Sequence, residues 1–301
     1  MPSNHARYNR VPETQGTKMK KQIELVAAYW TISGAFPGAE PEYSPFDFKQ
    51  RVEAAARAGF KGLGIWHADL DHILERRTLK EMKQILDDNG MKYVEVEFLT
   101  DWFLDGERKR QSDIRKRGLL AAAEALQATQ VKVGDFYRRK CPMPRLMEAF
   151  GELCSEAAEH GTRIAFEPMS AAMIHTLKDS LAMVRGAGAE NGGIVLDLWH
   201  VVNLGISYQE VSCVPLPFLF GVELNDGTLA RPENLPPDAV EPRTFCGEGE
   251  FDIPGFIKSV EKTGYRGPWG SEVFAEELLQ KPLEELTTHA FHTTMAQFPA
   301  S

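Results

Sequence analysis

Four acids stand where apolar runs give out: Glu167 after RIAF, Asp197 after GIVL, Glu223 after FGV and Glu272 after PWGS. A carboxylate without a partner in an interior position is costly and tends to take up a proton, so acids that converge require a shared cation. Oxygen donors of this kind suit a hard divalent ion better than a thiolate site would. Mn2+ is the expected ion, with Mg2+ or Co2+ as alternatives. His200 follows Asp197 by three residues in DLWH and reaches the same place, as a ligand or as a substrate contact. Any one of the acids reads as readily as a salt bridge or a helix cap. The four together point to a metal centre.

Convergence requires elements that deliver each acid to one place. The chain alternates short β-branched or aromatic runs with amphipathic segments, the pattern of βα units around a parallel sheet. Strands are expected at 23–30, 61–66, 91–98, 130–134, 163–167, 193–197, 218–225 and 268–273. Helical patterns lie between them, including KRGLLAAAEALQA at 116–128 and LMEAFGELCSEAAEHG at 146–161. Ser44 and Pro45 are the expected start of a helix that Gly59 ends, and Thr176 with Asp179 forms a capping-box candidate. Eight alternations in 301 residues predict an α/β fold, a (β/α)8 TIM barrel, whose active residues stand at the carboxyl ends of the strands. Residues 1–20 are expected to be a mobile N-terminal extension and residues 21–301 a single barrel domain. Residues 226–253, with ARPENLPPDAVEP, are expected to form a surface loop over the barrel mouth.

With 34 Lys and Arg against 43 Asp and Glu, the net charge of −9 repels a phosphate backbone, so no nucleic-acid partner is expected. Four cysteines lack CxxC spacing and fit reduced thiols, and a cytoplasmic location is expected. The polar first segment has no signal-peptide core, and no run approaches the roughly 18 apolar residues of a membrane span.

The motifs FEP (166–168), DLWH (197–200), ELND (223–226), SE (271–272), RTFCGEGEFDIPGFI (243–257) and GYRG (264–267) together resemble the xylose-isomerase-like TIM barrels. That group comprises sugar isomerases and epimerases, inosose dehydratases and endonuclease IV. The resemblance runs from the first strand onward. It implies metal ligation by Glu167, Asp197 and Glu272, with His200 as ligand or substrate contact and Arg243 as substrate contact. Many members of the group carry histidine on the seventh strand where this chain has Glu223. Either Glu223 supplies an oxygen ligand there, which is favoured, or Asn225, two residues on and on the same face, does so instead.

The resemblance implies removal of a proton beside the carbonyl of a keto sugar to give an enediolate, with Glu167 and Glu272 as the two acid/base groups. Returning the proton gives epimerisation or isomerisation, and expelling a β-substituent gives a lyase, such as an inosose or dehydroshikimate dehydratase or a 3-keto-C-glycoside deglycosidase subunit. His67, at the end of the second strand, is a candidate acid/base or hydroxyl ligand. Trp30, Trp66, Glu97 and Trp102, at or after the first three strands, are candidate substrate contacts, and Lys132 on the fourth strand is a further group that reaches the site or faces away. No glycine-rich phosphate cradle follows the seventh or eighth strand, so an unphosphorylated sugar is the expected small-molecule partner. A homo-oligomer or a partner subunit stays open. An endonuclease IV-like nuclease fits poorly with the acidic charge, and a non-catalytic barrel subunit fits poorly with four retained acids.

Overall fold

The computed structural model describes residues 23–170, 172–230, 242–278 and 280–299. The expected N-terminal extension and residues 231–241 of the loop after the seventh strand lie outside the described residues.

Eight parallel strands close on themselves in sequence order. They are β1 (Leu25–Ala27), β2 (Gly62–Trp66), β3 (Tyr93–Leu99), β4 (Gln130–Val133), β5 (Ile164–Phe166), β6 (Gly192–Asp197), β7 (Leu219–Leu224) and β8 (Trp269–Ser271). Closure comes from β1 pairing with β8 through Leu25–Trp269 and Ala27–Ser271. Every expected strand forms, and the first is shorter than expected: the chain turns after Ala27 into a short helix, Tyr29–Ser33. Trp30 therefore sits on that helix instead of ending a strand.

Helices fill the connections. The helix Phe48–Ala58 begins at Asp47, whose side chain accepts from Lys49 N–H, and not at Ser44 as expected. Ser44 is already engaged, its hydroxyl bonded to the Ser33 carbonyl and its N–H to Asp69. Gly59 ends this helix as expected, at φ 118°, a left-handed conformation that a Cβ disfavours. Thr176 caps the helix Leu177–Ala187 by accepting from Asp179 N–H at 3.0 Å. The helix expected over 116–128 begins earlier, at Gly106. Its first turns have no apolar stripe and are held by charge pairs, Arg110 to Glu107 and Lys109 to Asp113, both at 2.5 Å.

The interior of the barrel departs from the branched aliphatic layers usual for this architecture. Along β3 and β4, Val94, Val96, Val131 and Val133 join the apolar core, while Glu95, Glu97, Gln130 and Lys132 alternate with them. The latter set meets inside the barrel: Gln130 donates to Glu95 at 2.8 Å, and Lys132 lies 2.8 Å from Glu97. Lys132 also spans the barrel to Glu223 on β7 at 2.7 Å. Glycines make room for these long side chains. A Cβ on Gly64 would lie 2.8 Å from Glu97 Oε1, one on Gly221 3.0 Å from Gln130 Nε2, and one on Gly270 2.7 Å from Glu223 Cγ.

Gly270→Ala is expected to destabilise the protein by about 1–3 kcal/mol, because β7 backbone and the Glu223 stem must both shift. Denaturant unfolding checks this, and an unchanged midpoint would show that Glu223 is free to move.

Candidate active site

Each acid arrives by the same device, a β-strand that delivers its last side chains to the carboxyl end of the barrel. Glu167 directly follows β5, Asp197 ends β6, Glu223 is the penultimate residue of β7, and Glu272 directly follows β8. All four are at least nine-tenths buried. One carboxylate oxygen from each lies within 4.8 Å of the others, as do single donor atoms of Glu167, Asp197 and His200. The expected convergence is present.

Two cations of the chain itself are also present. Lys132 Nζ stands 2.7 Å from Glu223 Oε1, 2.8 Å from Glu97 Oε2, and 3.7 Å from both Glu167 and Glu272. Glu97, a candidate substrate contact by sequence, lies within β3 and belongs to this ring. Arg243 pairs with both Asp197 and Glu272, and its guanidinium lies 5.3 Å from the Trp199 ring and 4.5 Å from the Phe274 ring. Asp197 is further held by Trp199 N–H and by Asn225 Nδ2, each at 2.7 Å. Asn225 thus orients Asp197, and Glu223 faces Lys132.

Five buried carboxylates against two cations of the chain leave the ring over-supplied with negative charge. Burial raises the pKa of Glu167 above its ordinary 4.5; Lys132 pulls it back, and Glu272 and Asp197 push it up again. Burial and then Glu272 raise Glu223 well above the same value, against the pull of Lys132. Burial also lowers His200 well below its ordinary value, reinforced by Arg243, so its imidazole is neutral. Three acceptors, Glu97 Oε1, Glu223 Oε2 and Asn225 Oδ1, are buried without a hydrogen-bond partner. Open oxygen acceptors, excess negative charge and a neutral imidazole form a donor set that fits a divalent cation. The residues able to hold it are Glu167, Asp197, Glu223, Glu272 and His200.

The wall beside the ring is aromatic. Trp30, Trp66, Phe98 and Phe274 form a second apolar cluster with Tyr29 and Met169, and the Trp30 and Trp66 rings are 4.8 Å apart. Phe274 carries Arg243 on its face, which places this cluster at the mouth. Trp102 is not among them. It packs on Phe103 and Phe150 in the main core, because the chain turns away from the barrel axis after β3. His67 opens the helix His67–Leu74, half-buried; its Nδ1 accepts from Phe98 N–H at 3.4 Å. Burial, with Arg115, lowers its pKa to about 3, so the ring is neutral with its proton on Nε2.

Sequence reasoning assigned no task to Asp226, which proves to be the clamp of the returning loop. Its carboxylate accepts from the N–H groups of Gly227, Gly247 and Phe251, each at 2.9 Å, and its backbone pairs with Thr244. That pairing, with the Arg243–Phe274 bridge, carries Arg243 over the acids. The returning part of the expected mouth loop is therefore at the mouth. Glu97 and Lys132 were candidates by sequence, but Glu95 and Gln130, which alternate inward with them, were missed. Their signal was the period-two pattern YVEVEFL and QVKV, with valines on the opposite face.

A closed parallel barrel with a buried acid and histidine cluster at its strand ends defines a (β/α)8 barrel with a candidate metal centre. The family described as "Xylose isomerase-like TIM barrel" matches residues 52–293, and the chain belongs to it. Its relatives are enzymes. It is 28% identical over 247 residues to a 3-dehydroshikimate dehydratase of Pseudomonas aeruginosa, covering 77% of this chain and 37% of that protein's length. It is 23% identical over 258 residues to an inosose isomerase of Halalkalibacterium halodurans, covering 81% of this chain and 89% of the relative. Among solved structures, the IolI protein with a bound zinc atom aligns at a TM-score of 0.78 and 18% identity, over 91% of this chain and 98% of that one. Among the described residues, no helix is long and apolar enough to cross a membrane.

Asp226→Ala leaves three N–H groups without their acceptor and is expected to cost about 3 kcal/mol or more, measured by thermal or denaturant unfolding. A second expectation concerns pH in metal-free protein. Glu167 and Glu223 have folded-state pKa values raised above 4.5, so their contribution to stability is complete below that value and is lost as pH rises through the raised values. The thermal midpoint in chelator should therefore fall between about pH 5 and pH 9, and a divalent ion should flatten the decline. A midpoint that rises over this range with chelator would contradict the excess of buried negative charge.

Proposed function

We propose that the protein is a divalent-metal-dependent isomerase or epimerase that moves a proton on the carbon beside the carbonyl of an unphosphorylated keto sugar. The observation that carries this is the buried ring of Glu167, Asp197, Glu223 and Glu272, whose donor atoms converge within 4.8 Å and which retains unpartnered acceptors.

Glu167, Asp197, Glu223 and Glu272 would hold a divalent ion, Mn2+ by the hardness of these donors, which would supply Lewis-acid polarisation of the substrate carbonyl. The chain's own residues do the rest. Glu167 and Glu272, on β5 and β8 sides of the ring, remove and return the proton, and burial lets Glu167 hold it at a carboxyl oxygen near neutral pH. His67 offers a neutral Nε2–H to a substrate hydroxyl. His200, neutral, completes the ligand set or holds a second hydroxyl. Trp30 and Trp66 present apolar surface for a sugar face and keep water out. Arg243 releases Asp197 or Glu272 when substrate enters and binds a substrate oxygen in their place. Acids at Glu272, Glu276 and Glu277 disfavour a phosphate at the eighth strand's end.

A second reading is favoured by the similarity to 3-dehydroshikimate dehydratase: a lyase that uses the same proton abstraction and then expels a β-substituent. The chain spans about a third of that relative's length. The two readings share Glu167 and Glu272 and part company at the product.

Elemental analysis of the purified protein, followed by a screen of ketoses, inososes and 3-keto glycosides in deuterated water, tests both. Deuterium in a retained carbon skeleton supports the isomerase or epimerase, and release of water or a second product supports the lyase. Glu167→Gln and Glu272→Gln should each slow exchange of the substrate C–H by at least about 100-fold. Exchange at the wild-type rate in both variants would sink the two-glutamate mechanism.

A further inference from the structure

The metal reading uses the acids of the ring and leaves the ammonium in its middle without a task. Lys132 projects from β4, is 1% exposed, and reaches across the closed barrel to Glu223 on β7 while touching Glu97 on β3. One oxygen of Glu223 and one of Glu97 are bound to it, and the other oxygen of each is buried without a partner. Arg243, the other cation of the ring, arrives on a loop. Lys132 instead rises from a strand inside the barrel, with its side chain almost wholly buried. Three glycines, Gly64, Gly221 and Gly270, keep the space that this charged layer occupies, where ordinary aliphatic layers would need none of them.

We propose that Lys132 is a positioning residue and built-in counter-cation, which pairs with Glu223 and Glu97 and thereby sets how tightly the remaining carboxylates hold a divalent ion. The inference rests on the metal reading of this site. A fixed ammonium 3.7 Å from Glu167 and Glu272 repels an ion that those acids attract, and it offsets charge that the ion would otherwise balance alone. Affinity is held down, and the metal-free barrel is kept folded, by the same side chain. Removing one member of a buried pair leaves the other uncompensated, whereas removing both restores the balance.

The test is Mn2+ titration of the metal-stripped full chain, followed by the electron-spin signal of free Mn2+, for wild type, Lys132→Met, Glu223→Gln and the double variant. Lys132→Met should bind Mn2+ roughly tenfold more tightly, Glu223→Gln more weakly, and the double variant within about threefold of wild type. In chelator, the thermal midpoint of Lys132→Met should fall and that of the double variant should recover. A merely structural lysine would not tighten metal binding when removed. Binding by Lys132→Met that is equal to or weaker than wild type overturns the proposal. Should that variant fail to fold, the double variant must still bind Mn2+ more tightly than Glu223→Gln, and no tightening overturns the proposal equally. Wild type that takes up no Mn2+ overturns the metal reading together with this inference, whereas wild-type binding left unaltered by loss of Lys132 overturns this inference alone.

Discussion

Everything at the mouth of this barrel answers to one constraint: more carboxylates are buried together than the chain's own cations balance. Glu97, Glu167, Asp197, Glu223 and Glu272 face Lys132 and Arg243 in a region with almost no solvent. In a low-dielectric interior such an excess is resolved by protons, by further hydrogen bonds or by a bound cation. The first two bear on this ring. Burial raises Glu167 and Glu223, and Asn225 and Trp199 both donate to Asp197. Of the acceptors left open, the one on Glu223 belongs to the cluster whose geometry could admit the third.

The scaffold is shaped around that ring. Strand periodicity turns one face of β3 and β4 inward with charged side chains and the other outward with valines, so the barrel loses part of its usual aliphatic filling. Glycines on neighbouring strands take up the volume of the longer side chains. Outside the barrel, Asp226 gathers three N–H groups of the returning loop and so fixes where Arg243 enters. Stability and site geometry are consequently coupled, since the glycines and the clamp serve both.

The two cations differ in the way they are tethered, and the difference matters chemically. Arg243 lies on the aromatic faces of Trp199 and Phe274 at the end of a loop, over Asp197 and Glu272. Lys132 is built into a strand. Between them the two positive charges keep the carboxylates of the ring near one another.

Much of this was legible in the linear chain. Alternation of β-branched runs with amphipathic segments sufficed for the eight strands, and an acid at the end of four apolar runs sufficed for the ring, because strand ends in a parallel barrel all open on one face. The helix from Gly106 started earlier than its apolar stripe, since charge pairs along its first turns carry no hydrophobic period. Other features belong to the tertiary structure alone. Lys132 meets Glu223 across 91 residues, Arg243 meets Asp197 across 46, and Trp102 turns into the core instead of the mouth. Local pattern specifies which face a side chain takes on its own strand. Which residue stands opposite it is decided only when the barrel closes, and that closure turns a lysine of uncertain direction into the cation beside Glu223.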